Sequence, residues 1–366
     1  MAKKQARRIA VIMAGGSGER FWPLSRAKRP KQLLKLTSES ETLLEEAVNR
    51  ILPLIPAENV FVATSRTLAP AIAKAGLAIP KENILAEPMK RNTTGCLCWV
   101  AAQLSARLPK EDPAIAILTA DHLIGEKAKF RACVKSALQA AEVHDALVTI
   151  GIKPTRPETG YGYIETKKRK RGDNSVAVDV VRFCEKPSLE QAEKFLASGN
   201  YTWNSGMFFW RLSTFHHELD QATPDAGSIT RRMGTLIGEG KTRAAEKLFA
   251  ELPDISIDYS LLEKSARVMM VESTFPWDDV GAWDALERSR SRDHDGNVVS
   301  GAPVLLDTRN SIVLNEAHHR IAVGVIGMEN VVVIVSDDSV LVVPKDKAQE
   351  VRLVARELKK RGAKQV

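Results

Sequence analysis

A chain of 366 residues, 44% of them hydrophobic, is long enough for two domains or one large one plus an appendage, and it supports a sizeable core. The net charge of +8 suits anionic ligands, yet much of the excess sits in residues 167–171 and both termini as solvated runs without interleaved aromatics, which argues against a nucleic-acid partner. No apolar stretch has membrane-spanning length, and the basic residues 3–8 enter the first strand without a signal-peptide core, so the expectation is a cytoplasmic protein with no membrane partner.

The first predicted element is a buried strand at 9–13, which delivers Ala14-Gly15-Gly16-Ser17-Gly18-Glu19-Arg20-Phe21-Trp22-Pro23 to the rim of a sheet. Gly15, Gly16 and Gly18 let backbone N–H groups approach an anion. Arg20 as a planar fork and Lys31, after Arg29-Pro30, as a point charge can bracket a triphosphate. A Walker A loop is absent, and a dinucleotide fingerprint would need a third glycine where Phe21 stands.

Helical spacing of Leu43, Leu44, Ala47, Val48 and Ile51 predicts a helix over 42–52, and strands follow at 59–63, 84–86, 114–118 and 146–150. With a helix at 127–144, this alternation gives an α/β class with a mixed, mainly parallel sheet. Asn92 and Thr93 read as the cap of a helix reaching about residue 107, whose N-terminus favours an anion. Asp121, in Thr119-Ala120-Asp121-His122, falls at the carboxyl end of a buried strand, where open α/β sheets place ligands. Its expected partner is Asp279 in Trp277-Asp278-Asp279-Val280-Gly281, because two carboxylates suit Mg²⁺. On the residues alone Asp278 and Asp279 are a close choice, and His122 is expected to be structural.

A hairpin is expected between 162–166 and 176–184, across the basic loop. Cys96, Cys98, Cys133 and Cys184 lack zinc-ligand spacing and read as buried thiols. After a polar break at 292–297 come strand-like pieces at 304–307, 311–314, 331–336 and 340–343 and an amphipathic helix at 346–360. The expected domains are therefore residues 1–290 and a small C-terminal β module, 291–366.

The run Gly16-Ser17-Gly18-Glu19-Arg20, two residues, Pro23, then Pro30-Lys31, resembles the nucleotidyltransferases that make nucleotide-sugars from a sugar 1-phosphate and a nucleoside triphosphate. Glu185-Lys186-Pro187, Asn204-Ser205-Gly206, Gly160-Tyr161-Gly162 and the aspartate before Val280-Gly281 extend the resemblance through most of the chain. It implies a Rossmann-like catalytic domain with a partial left-handed β-helix module and a homodimer. It also implies that Glu185, Asn204 and Gly162 bind the sugar, that Asn204 does so in a turn, that Lys186 holds the sugar phosphate, and that Asp121 and Asp279 hold Mg²⁺, with Asp278 solvated or behind the site. Within the family the wording is most similar to the branch that joins GTP and mannose 1-phosphate into GDP-mannose by in-line displacement. Glu87 agrees with GTP, since a carboxylate accepts in parallel from guanine N1–H and its exocyclic amine. Another base or sugar, or a catalytically silent regulatory relative, stays open on the residues alone.

Overall fold

The computed structural model describes residues 6–167, 175–317 and 320–366, so residues 3–5 and 168–171 of the expected basic runs lie outside the described residues. Two compact units are present, one drawn from residues 1–14, 48–119 and 124–277, the other from 15–47, 120–123 and 278–366.

The first unit is built on nine strands: β1 Arg8–Met13, β2 Val60–Ser65, β3 Ile84–Glu87, β4 Ala114–Thr119, β5 Leu147–Ile152, β6 Gly162–Thr166, β7 Ala177–Glu185, β8 Tyr201–Arg211 and β9 Val268–Glu272. Their order is β3-β2-β1-β4-β8-β5-β9-β7-β6, with an additional β8–β6 pairing. The β3-β2-β1-β4 ladder is parallel throughout, and its strands read as near-continuous apolar runs because both faces are covered. Helix Asn92–Arg107 covers one face through Leu97, Trp99, Val100 and Leu104. No helix among the described residues is long and apolar enough to cross a membrane.

The expected hairpin is present as β6 and β7, antiparallel, with Gly162 opposite Glu185. Strand β8 departs from expectation: Asn204-Ser205-Gly206, expected in a binding turn, belongs to an 11-residue strand antiparallel to both β4 and β5. Aromatic residues at Tyr201, Trp203, Phe208, Phe209 and Trp210 favour the extended chain. The Asn-Ser-Gly segment within it makes a bulge: Gly206 adopts φ +69°, and the register slips between Thr149 opposite Phe208 and Gly151 opposite Asn204. Of the thiols, Cys98 and Cys133 are buried, but Cys96 and Cys184 are only half-buried. Cys96 and Cys98 lie two positions apart on one helix and therefore face different directions.

Among the described residues, the C-terminal part of the second unit has six short strands, β10 Val298–Ser300, β11 Val304–Leu306, β12 Ile312–Asn315, β13 Gly324–Ile326, β14 Val331–Val335 and β15 Val340–Pro344. Strands β10, β12 and β14 stack in parallel with Val298, Ile312 and Val332 in register, while β11 stacks on β13; this is the layering of a β-helical coil. Strand β15 closes the stack antiparallel to β14. The expected closing helix divides in two: residues Lys345–Glu350 wind as a tighter 3₁₀ turn after Pro344, and the α-helix proper is Val351–Lys360.

One apolar core joins these strands to the glycine-rich segment. Phe21, Trp22 and Leu34 pack with Trp283, Leu286, Ile312, Val332, Val351 and Ala355. Phe21 meets the Trp283 ring edge-on at 5.0 Å, and Trp283 Nε1 donates to the Trp22 carbonyl at 3.0 Å. Each such large side chain contributes about 1.5–3 kcal/mol by leaving water, so the glycine loop is anchored by the same burial that holds the C-terminal helix.

Candidate functional site

In the second unit the glycine-rich loop is shaped around Lys31. Gly18 takes φ +64°, and a Cβ there would lie 2.5 Å from Lys31 Cβ and 2.7 Å from its backbone nitrogen, so only glycine fits. The Gly18 carbonyl accepts from Phe21 N at 2.8 Å and from Ser25 Oγ at 2.7 Å, which fixes the turn. Lys31 is 6% exposed, and its ammonium donates to Asp121 Oδ2 at 3.0 Å and to the Asp279 carbonyl at 2.8 Å. Arg20 Nη1 donates to the Gly281 carbonyl at 3.4 Å. Three stretches far apart in sequence, 18–31, 121 and 279–281, are thereby tied together by two cations.

These residues surround a cavity of about 300 Å³ lined by Gly18, Arg20, Lys31, Asp121, His122 and Asp279 among others. Desolvation pushes the Asp121 carboxyl upward, but the charges of Lys31 and His122 and the hydrogen bond from Lys31 outweigh it and hold it below the usual aspartate range. Of the two alternatives for Asp278, the structure agrees with a place behind the site: it is 8% exposed, accepts from Val280 N at 2.8 Å and pairs with Arg288 Nε at 2.5 Å. The reason is that successive residues of extended chain face opposite ways, and Asp278 spends its carboxylate stapling the turn while Asp279 reaches the cavity. Gly15 and Gly16 are exposed and do not line it. Glu19, Arg352 and Arg356 do, and sequence reasoning missed all three. The available signal was the i, i+4 spacing of the two arginines on an amphipathic helix.

In the first unit Glu87 ends β3 and is 8% exposed. Its Oε2 is buried with no hydrogen-bond partner among the described residues, and burial, opposed by the nearby Lys90, pushes its carboxyl up to about 7. Asn92 is not the expected helix cap. It has φ +53° and its Oδ1 accepts from the adjacent Thr93 N at 2.9 Å, a local turn that leaves the second and third helical N–H groups without it. Thr93 Oγ1 instead accepts from Ile257 N at 2.8 Å, and Thr94 Oγ1 meets Ser260 Oγ at 2.7 Å. The helix start and residues 257–260 are thus one rigid corner.

That corner presents Asp258 to the sheet. Asn204, on the β8 bulge, donates from Nδ2 to Asp258 Oδ1 at 2.9 Å, while its Oδ1 accepts from Gly206 N and Thr149 Oγ1, each at 3.2 Å. Most of this amide is therefore spent on positioning, with its second N–H left over. Burial, reinforced by the charge of Glu185, pushes the Asp258 carboxyl up to about 6. Glu185 pairs with Lys186, whose backbone has φ +48°. A Cβ at Gly162 would fall 2.5 Å from Glu185 Oε2. Desolvation alone would lower the Lys186 ammonium, but the hydrogen bond and charge of Glu185 raise it above the usual lysine range. The unit therefore brings Gly162, Glu185, Lys186 and Asn204 together, as expected, around Asp258. Sequence reasoning missed Asp258; its signal was a lone carboxylate inside the apolar run of Ile255, Ile257, Leu261 and Leu262.

Comparison with known proteins gives a nucleotidyl transferase family match over residues 9–296 and a match to a MannoseP isomerase/GMP-like beta-helix domain over 301–358. A mannose-1-phosphate guanylyltransferase of Sinorhizobium fredii is 40% identical over 347 residues, covering 94% of this chain and 66% of the relative. One from Escherichia coli is 36% identical over 361 residues, covering 98% and 77% respectively. The chain thus spans about two thirds to three quarters of these relatives' lengths. A crystal structure from Thermus thermophilus, named a mannose-1-phosphate geranyltransferase, superposes with a TM-score of 0.85 at 38% identity, covering 96% of this chain and 99% of that one.

Proposed function

The chain belongs to the nucleotidyl transferase family, among its mannose-1-phosphate guanylyltransferases, and from that membership we propose that it transfers GMP from GTP to mannose 1-phosphate, giving GDP-mannose and pyrophosphate. The observation that carries the proposal is the single cavity on which Arg20, Lys31, Asp121 and Asp279 converge.

In this reading the second unit handles phosphate. Arg20 and Lys31 hold the triphosphate beside the turn around Gly15, Gly16 and Gly18, and the buried Lys31 keeps its charge aimed by its bonds to Asp121 and the Asp279 carbonyl. Asp121 and Asp279 offer two carboxylates to one cavity, an all-oxygen donor set of the kind that suits Mg²⁺, and they would hold the ion there. When bound, the ion supplies positive charge for the phosphates.

The first unit handles base and sugar. The buried Glu87 carboxylate, whose Oε2 has no hydrogen-bond partner among the described residues, accepts from guanine N1–H and its exocyclic amine, with Asn92 at the neighbouring helix start. Gly162, Glu185 and Asn204 receive the hexose, and Lys186 binds its phosphate. An ionised oxygen of mannose 1-phosphate forms the new bond to the α-phosphorus as the bond to pyrophosphate breaks in line. No side-chain nucleophile is needed, and the residues act by positioning and charge neutralisation. The same reading includes a cytoplasmic homodimer, to which Val304, Leu306 and Ile326, exposed on the stacked β11 and β13, offer an apolar surface.

The test is pyrophosphate release with Mg²⁺, offering GTP, ATP, UTP, CTP and dTTP with mannose 1-phosphate or glucose 1-phosphate. Release confined to GTP with mannose 1-phosphate is the expected result. Release with another pair overturns the specificity, and no release from folded protein overturns catalysis.

A further inference from the structure

We propose that Arg352 and Arg356 of the C-terminal helix bind the pyrophosphate portion of the nucleotide, so that the β-helical module completes the phosphate site; this rests on the function proposed above and deepens it. Both arginines line the same cavity as Arg20, Lys31, Asp121 and Asp279. The i, i+4 spacing puts them on one face of helix Val351–Lys360. Val351 and Ala355 bury the adjoining face in the core that also contains Phe21 and Trp22, so one packing arrangement positions the arginines and the glycine loop together.

Charge decides what the arginines do there. Of the cavity's cations, Lys31 is bonded to Asp121, Arg20 to a backbone carbonyl and Arg356 to Glu19 Oε2 at 3.1 Å, whereas Arg352 has no hydrogen bond or ion pair among the described residues. Four cations, Arg20, Lys31, Arg352 and Arg356, face three carboxylates, Glu19, Asp121 and Asp279. Without the helix, two cations would face three carboxylates, and the protein's own charge would repel a polyanion. Guanidinium forks match non-bridging phosphate oxygens, and an exposed pair such as Arg356 with Glu19 is weak enough to be exchanged for one.

The experiment titrates inorganic pyrophosphate, with Mg²⁺, into the whole chain by calorimetry and follows the forward reaction in parallel. The variants are Arg352→Ala, Arg356→Ala, the double variant and Arg352→Lys, with Arg361→Ala as the control because it pairs with Glu357 on the same helix outside the cavity lining. Both target side chains are exposed, so folding and melting temperature should be unchanged. Each alanine should weaken pyrophosphate binding about ten-fold, the loss expected for a charge-assisted hydrogen bond. The KM for GTP should rise with it while the KM for mannose 1-phosphate stays put, Arg352→Lys should recover part of the affinity, and Arg361→Ala should match the unmodified chain. Unaltered pyrophosphate affinity in the double variant of an active enzyme overturns this inference alone. An unmodified chain that releases no pyrophosphate with any substrate pair overturns the functional reading beneath it.

Discussion

The two units solve opposite electrostatic problems. In the second, cations gather on a loop and a helix around an open cavity, and the buried Lys31 is balanced by Asp121 and a carbonyl. In the first, carboxylates gather: Glu87 is buried and its Oε2 has no hydrogen-bond partner among the described residues, and Asp258 is half-buried beside Glu185, with Lys186 the exposed counterion at 64% accessibility. A cationic cavity is ready for an anion, while buried carboxylates without full compensation are ready for donors such as base N–H groups and sugar hydroxyls. The cost of holding like charges in place falls on different parts of the fold, which makes the contrast testable.

The sharpest break is between the two lysines. Lys31→Met should lower kcat/KM by about 10³, since it removes a buried, preorganised donor and releases Asp121 from its partner. Lys186→Met should act on the sugar phosphate, raising its KM by about 10- to 100-fold, as expected for one charged hydrogen bond. Steady-state kinetics with each substrate varied separately checks this, and equal effects of the two changes would erase the distinction between units. Next in size is Glu87→Gln, which replaces an acceptor carboxylate with an amide that meets guanine's donors with one of its own. Preference for GTP over ATP should fall about 100-fold, part of the 10⁴–10⁵ that such buried polar sites achieve. The KM for GTP should also rise as pH falls through about 7, where the Glu87 carboxyl takes up its proton, and that dependence should vanish in the glutamine variant.

How legible each unit was in the sequence follows the same contrast. The phosphate loop is contiguous, and glycines at 16 and 18 with Arg20 and Lys31 within a few residues of two prolines announce themselves; so does the parallel β3-β2-β1-β4 core, because each strand is a compact apolar run. What was hidden depends on tertiary placement. Strand β8 carries a motif that looks like a turn because a bulge and a turn share Gly206, and only the pairing on both sides reveals a strand. Asp258 is held by residues 204 and, through its corner, 93 and 94, none of them near it in sequence. Arg352 and Arg356 were lost in the basic background of residues 345–364, where charge alone does not distinguish a site from a solvated face.

Two glycines extend the comparison to stability. At Gly18 an added Cβ meets the backbone and Cβ of Lys31, which cannot move without disturbing the cavity, and the residue has positive φ. Gly18→Ala should therefore destabilise the fold by about 1–3 kcal/mol and lower activity as well. At Gly162 the added atom meets the far end of the Glu185 side chain, which can swing away. Gly162→Ala should leave the melting temperature within a degree or two, because surface-type adjustments cost little, while the sugar KM rises. Denaturant unfolding of both variants decides it, and the same stability loss in each would mean that Glu185 is as rigidly held as the Lys31 backbone.

The smallest expected effect concerns the acidic cluster directly. Asp258 has its carboxyl raised to about 6 in the folded chain, so folding binds its proton more tightly than the unfolded chain does. Below about pH 4 the group is protonated in both states and costs nothing; between about 4 and 6 the unfolded chain ionises while the half-buried carboxyl facing Glu185 holds its proton, so stability falls across that window and levels off above it. Asp258→Asn removes that cost while a carbonyl oxygen can still accept from Asn204 Nδ2. The variant should gain about 1–2 kcal/mol at pH 8, less than the full linkage value because the side chain is partly exposed, and nothing at pH 4. Denaturant titrations of the unmodified chain and the variant at the two pH values test the sign. A pH-independent difference would show that Asp258 carries no trapped charge, and the first unit would then lose the electrostatic strain that sets it apart from the compensated lysine of the second.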